Sequence, residues 1–177
     1  MKEHLQIIIV LTFLAAFTSC DEERPGISGE SIITGVQNGK DWAAPADGVY
    51  NSSMDTTSMS GLMVAKNEVL GENLSFSNIP FRVGTYPLIK KGPESNKPSS
   101  VFYSVIGLDA LNCRFDLDEA SENFINVEIA DHKSNYISGT FQAVYVRDPG
   151  DAKYDPYLPD TLRFTDGFFN VKIEPPR

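Results

Sequence analysis

Cysteine and histidine are scarce in this chain, and each occurs only twice among 177 residues. The cysteines are Cys20 and Cys113, and the histidines are His4 and His132. Zinc sites usually take three or four nitrogen or sulfur ligands from the protein, so this set disfavours zinc except at a carboxylate-rich site. Two cysteines in an exported protein would suggest a disulfide, but the segment around Cys20 predicts a different role for it.

Positive charge is also in deficit, with 15 Lys and Arg against 24 Asp and Glu and a net charge of −9. Lys90 and Lys91 are the only adjacent basic pair. An acidic surface repels phosphate backbones, which argues against nucleic acid as a partner. Hydrophobic content of 41% and charged content of 22% are normal for a globular chain. Removing 19 residues from 177 leaves 158, the size of one domain.

The N-terminal apolar run is too short to cross a membrane. Residues 5–17 are interrupted only by Gln6 and Thr12, and Lys2 precedes them. Thirteen helical residues do not span a hydrocarbon core of roughly 30 Å, so the run predicts a secretion signal in residues 1–19. Its last residues and Cys20 read FTSC, which resembles a lipobox. An ordinary signal peptide followed by a chance cysteine is the alternative.

Lipidation of Cys20 would provide the membrane anchor, because each buried CH₂ contributes about 0.8 kcal/mol and several acyl chains hold a protein stably. The acidic run Asp21, Glu22 and Glu23 resembles the surface-export signal of Bacteroidota lipoproteins. In other Gram-negative bacteria, an aspartate there implies retention at the inner membrane. We therefore expect an outer-membrane lipoprotein at the cell surface, with the periplasmic face as the alternative. Residues 20–29 form the lipidated cysteine and a flexible tether.

Residues 30–177 show strand patterns and almost no helical periodicity, which predicts one all-β domain, an antiparallel β-sandwich or open barrel. Asn38-Gly39 is a strong hairpin turn signal. Asp166-Gly167 predicts the turn of a last hairpin between residues 161–165 and 168–174. On either side of this turn, one face holds Leu162 and Phe164 and then Phe169, Val171 and Ile173.

The other predicted strands follow from alternation and β-branched content. They cover residues 31–36, 40–44, 60–65, 70–79, 82–89, 100–108, 113–117, 125–129 and 136–147. Pro87 places the strand at 82–89 on a sheet edge. Ile125, Val127 and Ile129 are expected to share one face. Ile137, Phe141, Ala143 and Tyr145 are expected to share another.

The segment 148–160 is a long loop, and long loops are often functional. Its carboxylates are weak candidates for a Ca²⁺ site, although their spacing does not match an EF-hand, and a solvated acidic loop is the preferred interpretation. They are Asp148, Asp151, Asp155 and Asp160. Tyr154 and Tyr157 lie in the same loop and are the best ligand-binding candidates among the aromatic residues.

No catalytic motif emerges from the sequence. Asp131, His132 and Ser134 lie within one tight turn, and such close neighbours do not make a triad, so His132 is interpreted as a solvated turn residue. Cys113 lies among apolar residues and is interpreted as a buried small hydrophobe. Trp42 is interpreted as a core residue. We expect no metal and no cofactor other than the lipid.

Four patches together resemble a family of small Bacteroidota lipoproteins that carry a domain of unknown function. They lie at residues 36–42, 84–88, 137–141 and 165–173, and they span nearly the whole mature domain. The insert at 148–160 departs from the compact final hairpin of that family. The resemblance implies a β-rich fold at the cell surface and transfers no catalytic or binding residue.

The leading functional hypothesis is therefore a non-enzymatic, lipid-anchored domain that binds a ligand or protein partner, with glycan binding as one form of it. The alternatives are a lipocalin-like carrier of a small apolar ligand, a hydrolase that uses carboxylates, and a purely structural component of the surface. An apolar interior cavity would favour the carrier. Two buried acids facing each other would favour the hydrolase.

Overall fold

A computed structural model describes residues 30–64, 70–92, 96–106, 110–148, 150 and 158–174. These residues form eleven β-strands and no helix. The strands are β1 (Ile32–Gln37), β2 (Lys40–Asn51), β3 (Thr56–Val64), β4 (Leu70–Pro80), β5 (Gly84–Pro87), β6 (Ile89–Lys90), β7 (Ser99–Ile106), β8 (Ala110–Leu117), β9 (Phe124–Asp131), β10 (Tyr136–Arg147) and β11 (Thr161–Glu174). The predicted signal segment, lipidation site and tether lie outside the described residues.

Eight of these strands form a closed antiparallel barrel in the order β1-β2-β3-β4-β7-β8-β10-β11. Closure occurs at β1, where Ile33 pairs with Ala44 of β2 on one side and with Phe169 of β11 on the other. The predicted all-β, antiparallel, single-domain fold is thus confirmed. Of the two architectures proposed, a sandwich or an open barrel, a barrel is found, but it is closed and not open because the first and last strands pair.

The remaining strands extend the barrel wall on one side. β9 pairs with the first half of β10, and β8 pairs with its last residues, so β8 and β9 lie end to end along one edge of β10. β5 pairs with β9, and β6 makes a short parallel pair with β7. The predicted edge strand with Pro87 is thus β5, which pairs only with β9 among the described strands.

Aromatic rings fill the barrel interior. Phe164 lies at the centre of this packing, with ring centroids 5.5 Å from Trp42, 5.8 Å from Phe102, 6.0 Å from Tyr145 and 6.2 Å from Phe141. Such close and tilted contacts are typical of packed aromatic cores. The other fully buried rings are Phe76, Phe81, Phe115 and Phe169.

The predicted hairpin at Asp166-Gly167 is wrong. β11 runs unbroken from Thr161 to Glu174, and it pairs with β10 along almost its whole length. The register shifts so that Phe141 lies opposite Gly167 whereas Ala143 lies opposite Phe164, which is a β-bulge of one extra residue. Because of the extra residue, the inward-facing positions of β11 are even-numbered before the bulge and odd-numbered after it. For this reason both Phe164 and Phe169 point inward, as the hairpin hypothesis also required.

Ile129 also departs from its predicted face. Ile125 and Val127 are fully buried, but Ile129 is 40% exposed. The cause is a second register shift, in which Ser138 pairs with Ile129 and the next residue, Gly139, pairs with Val127. Glu128 is therefore an extra residue in β9, and the residues after it change sides.

The predicted hairpin at Asn38-Gly39 is confirmed. Both residues have positive φ, 48° and 80°, as this kind of two-residue turn requires. The Asn38 side chain also binds β11, donating to the Thr161 carbonyl at 3.0 Å and accepting from the Arg163 amide at 2.8 Å. Every described core residue lies between Ile33 and Ile173, so a chain that begins at Asp21 contains the whole of this core.

Candidate binding groove

Asp151 and Asp155, two of the four carboxylates predicted as weak Ca²⁺ candidates, lie outside the described residues, and so do Tyr154 and Tyr157. Asp148 accepts a hydrogen bond from the Gly150 amide, and Asp160 lies 3.5 Å from the Arg147 Nε. Across the part of the chain that the structure describes, no three His, Cys, Asp or Glu side chains are grouped to hold a metal ion.

The turn around His132 contains no catalytic arrangement. The Asp131 carboxylate accepts bonds from the Lys133 amide, the Ser134 amide and the Ser134 hydroxyl, so it caps the turn. These bonds lower the pKa of Asp131 below its ordinary value. The exposed His132 ring instead packs on Phe81 at 4.3 Å between centroids. The three neighbours therefore belong to one turn that the Asp131 carboxylate holds together.

Cys113 and Trp42 are both buried core residues, in agreement with the sequence interpretation. The Trp42 indole also donates a 2.7 Å hydrogen bond to Glu72, a carboxylate that the sequence did not single out. Glu72 follows the inward alternation of Leu74 and Phe76, and Gln37 donates to it at 3.3 Å. Burial raises the pKa of Glu72, and the two hydrogen bonds oppose that shift.

The most buried described acid, Asp116, belongs to the other side of the barrel wall. It lies between the inward-facing residues Phe115 and Leu117, and it forms ion pairs with Lys90 at 2.8 Å and Arg114 at 2.7 Å. Glu72 faces the interior and Asp116 faces the exterior. In the described ranges, these two acids therefore do not form the facing pair that a carboxylate hydrolase needs.

An open groove crosses the outer wall of the barrel over β5, β9, β10 and β11, and we call it the outer groove. It consists of two depressions of about 460 Å³ and about 300 Å³ that share Phe124. Its lining residues are Thr85, Pro87, Glu122, Asn123, Phe124, Thr140, Phe141, Gln142, Asp166, Gly167 and Phe168.

Strand register places the two partly exposed phenyl groups of the outer groove on either side of β10. Phe124 pairs with Gln142, and Phe168 pairs with Thr140, so the two rings flank the same stretch of β10. Both are partly buried, and both lie on the face opposite the core residues of their strands. Asp166, the bulged residue with φ of 51°, is exposed beside Phe168.

A fixed loop supports one wall of the groove. Buried Asn123 accepts from the Val144 amide at 2.8 Å and donates to the carbonyls of Asp118 and Ser121 at 2.7 and 2.9 Å. Hydrogen bonds from Ser121 and Ala120 lower the pKa of Asp118. Because these bonds satisfy the loop's own polar groups, it presents Phe124 and Glu122 on a prepared surface.

Sequence reasoning did not single out Phe124 and Phe168, although a signal for both was present. Consecutive strand residues face opposite sides, so one member of the pair Phe168-Phe169 has to face outward. Likewise, Phe124 precedes inward-facing Ile125. The sequence did not indicate that these two phenyl groups lie on either side of β10, because strand order is not encoded in alternation.

No protein-family model matches the chain, no curated protein matches it, and no solved structure matches the fold. The described residues contain no helix with the length and hydrophobicity needed to span a membrane.

Proposed function

We propose that this chain is a lipid-anchored cell-envelope protein whose barrel binds a ligand on its outer wall without catalysing a reaction. The observation that carries the proposal is the outer groove, where two partly exposed phenyl groups lie among hydroxyl, amide and carboxylate groups. Ligand sites generally combine apolar surface with a few oriented polar groups. A glycan is the ligand class that fits, because a sugar ring presents C–H groups to an aromatic face and hydroxyls to its rim.

The anchor and location are part of the same proposal. Cys20 carries the lipid, and the acidic run Asp21, Glu22 and Glu23 directs the protein to the cell surface. The tether of residues 20–29 reaches at most about 35 Å when fully extended. A barrel held at that distance remains close to the membrane while its outer wall stays accessible to envelope or external polymers.

Interior packing favours the outer wall over a lipocalin-like cavity. Phe102, Tyr145 and Phe164 fill the centre of the barrel with mutual ring contacts of 5.8 to 6.2 Å. The Tyr145 hydroxyl is itself paired with Ser100, and burial raises its pKa well above the ordinary value. A carrier would need these rings to move apart, at the loss of their contacts.

The test uses the soluble chain from Asp21 onward in native gels that contain dissolved polysaccharides. We expect at least one glycan to retard the wild type and Phe124→Ala to run freely. Leu62→Ala is the matched control, since Leu62 is exposed on β3, away from the groove, and it should behave as wild type. Absence of retardation with every polymer would contradict the proposal. Stoichiometric uptake of a fluorescent fatty acid would also contradict the proposal, if the bound acid quenched Trp42 fluorescence and if Phe124→Ala left the uptake unchanged.

A further inference from the structure

The rim of the outer groove carries acceptors and negative charge. Glu122 and Asp166 contribute carboxylates, and none of the lining residues in the described ranges is Lys or Arg. Ionised carboxylates only accept hydrogen bonds, so they suit a ligand that is rich in hydroxyl donors. They also repel an anionic ligand at short range. The groove therefore selects for neutral over acidic ligands.

The separation of the two phenyl groups sets a minimum ligand length. Phe124 lies on β9 and Phe168 on β11, with β10 between them, and their register positions differ by two residues along β10. Two strand spacings combined with two residues of rise place their Cα atoms about 12 Å apart. One pyranose ring cannot cover both phenyl groups, whereas a chain of several sugar units can.

Polar groups lie between the two phenyl positions. Thr140 is the pairing partner of both Phe168 and Asn126, so its side chain occupies the middle of the groove. The Asn126 amide oxygen already accepts from the Thr85 hydroxyl at 2.9 Å, which fixes the amide in place. A ligand that crosses from one ring to the other therefore passes hydroxyl and amide groups of fixed orientation.

We propose that the outer groove binds a neutral oligosaccharide of several units, with one sugar against Phe124, another against Phe168, and hydroxyl donors directed to Glu122 and Asp166. This inference rests on the proposed function and deepens it, because it specifies the charge and the minimum length of the glycan. It predicts poor binding of single sugars and of chains that carry carboxylate or sulfate groups.

Calorimetric titration with oligosaccharides of one to six units tests the length requirement. For neutral chains, we expect affinity to rise until both phenyl groups are covered and then to level off. Phe124→Ala should lower affinity by about tenfold or more, as an aromatic anchor does when truncated. Phe168→Ala should remove the gain from lengthening and leave the shortest chains unaffected. Equal affinity for one unit and for six would overturn the two-ring arrangement.

Charge selection is tested with the paired variants Glu122→Gln and Asp166→Asn, which keep an acceptor oxygen and remove the charge. Asn tolerates the positive φ at residue 166, so this substitution preserves the bulge. In low salt, the double variant should bind uronic-acid or sulfated chains about three- to tenfold more tightly than wild type does. Binding of neutral chains should change little, and high salt should reduce the difference.

The outcomes separate this inference from the proposed function. If the wild type prefers acidic chains and Phe124→Ala abolishes that binding, the groove is a glycan site but its neutral selectivity is wrong. If no polysaccharide or oligosaccharide binds at all, the proposed function fails with it. The inference is supported if the wild type binds neutral chains and excludes acidic ones, and if the double variant binds the acidic chains as well.

Discussion

Gly167 shows how one residue can be required for a different reason from the one its sequence context indicates. Its neighbour Asp166 has the positive φ, whereas Gly167 lies against β10. A Cβ at residue 167 would lie 2.5 Å from the Phe141 carbonyl oxygen and 2.7 Å from its ring. The glycine is therefore needed for close approach of two strands, and not for a left-handed turn.

Gly167→Ala should consequently destabilise the barrel by about 1–3 kcal/mol, the usual range for overpacking, and lower the melting midpoint by several degrees. Asp166→Gly is the matched control one position away. Glycine adopts φ of 51° without strain, so this variant should melt at the wild-type temperature or slightly above it. If Gly167→Ala were as well tolerated as Asp166→Gly, the close contact with Phe141 would be contradicted.

Glu72 predicts a specific pH dependence. Its pKa is raised in the folded state, so the folded protein holds a proton on Glu72 at pH values where the unfolded chain has lost it. Stability from this group is therefore present below the unfolded pKa and declines as pH rises through the folded pKa. Glu72→Gln keeps an acceptor for the Trp42 indole and removes the charge. The melting midpoint of Glu72→Gln minus that of wild type should be larger at pH 7 than at pH 4. An equal difference at the two pH values would contradict the effect of burial on Glu72.

At the scale of elements, alternation located most strands because the barrel buries one face of each. Residues 136–147 were predicted as one strand, and β10 has those bounds. The failure at Asp166-Gly167 has a physical basis. A hairpin turn and a bulge both favour a left-handed residue, and both shift the phase of apolar residues. In a hairpin the two strand segments pair with each other, whereas the segments on either side of a bulge pair with the same neighbouring strands. That difference depends on long-range pairing.

The β1–β2 hairpin offers a test at this scale, because Asn38 supplies both the left-handed turn and two side-chain bonds to β11. Asn38→Gly keeps the turn and loses the bonds, and it should lower the free energy of unfolding by about 1–2 kcal/mol. Asn38→Ala loses both and should cost roughly 1 kcal/mol more. Asn135→Gly, at a left-handed position in the β9–β10 turn, is the control and should be near neutral in urea titrations. A neutral Asn38→Gly would show that the bonds to β11 contribute little.

For the whole molecule, the sequence indicated the fold class better than it indicated the site. A closed barrel follows from strands that each bury one face, once the first strand and the last one pair. The outer groove joins the consecutive strands β9, β10 and β11 to β5, which lies far from them in the chain. Its phenyl groups occupy outward positions that resemble ordinary surface. These residues can be recognised as a candidate binding site only when strand order and register are known.

The predicted anchor is tested in the intact cell, because it determines where the barrel and its groove are displayed. Cys20→Ala should abolish incorporation of a fatty-acid analogue and release the protein from the membrane, since acyl chains are its only proposed anchor. Replacing Asp21, Glu22 and Glu23 with alanine should leave labelling intact but remove accessibility to external protease, because only the export signal changes. Wild-type protein supplies the control for both measurements. Label retained on Cys20→Ala would contradict lipidation, and equal cleavage of the triple variant would show that another segment directs the barrel to the surface.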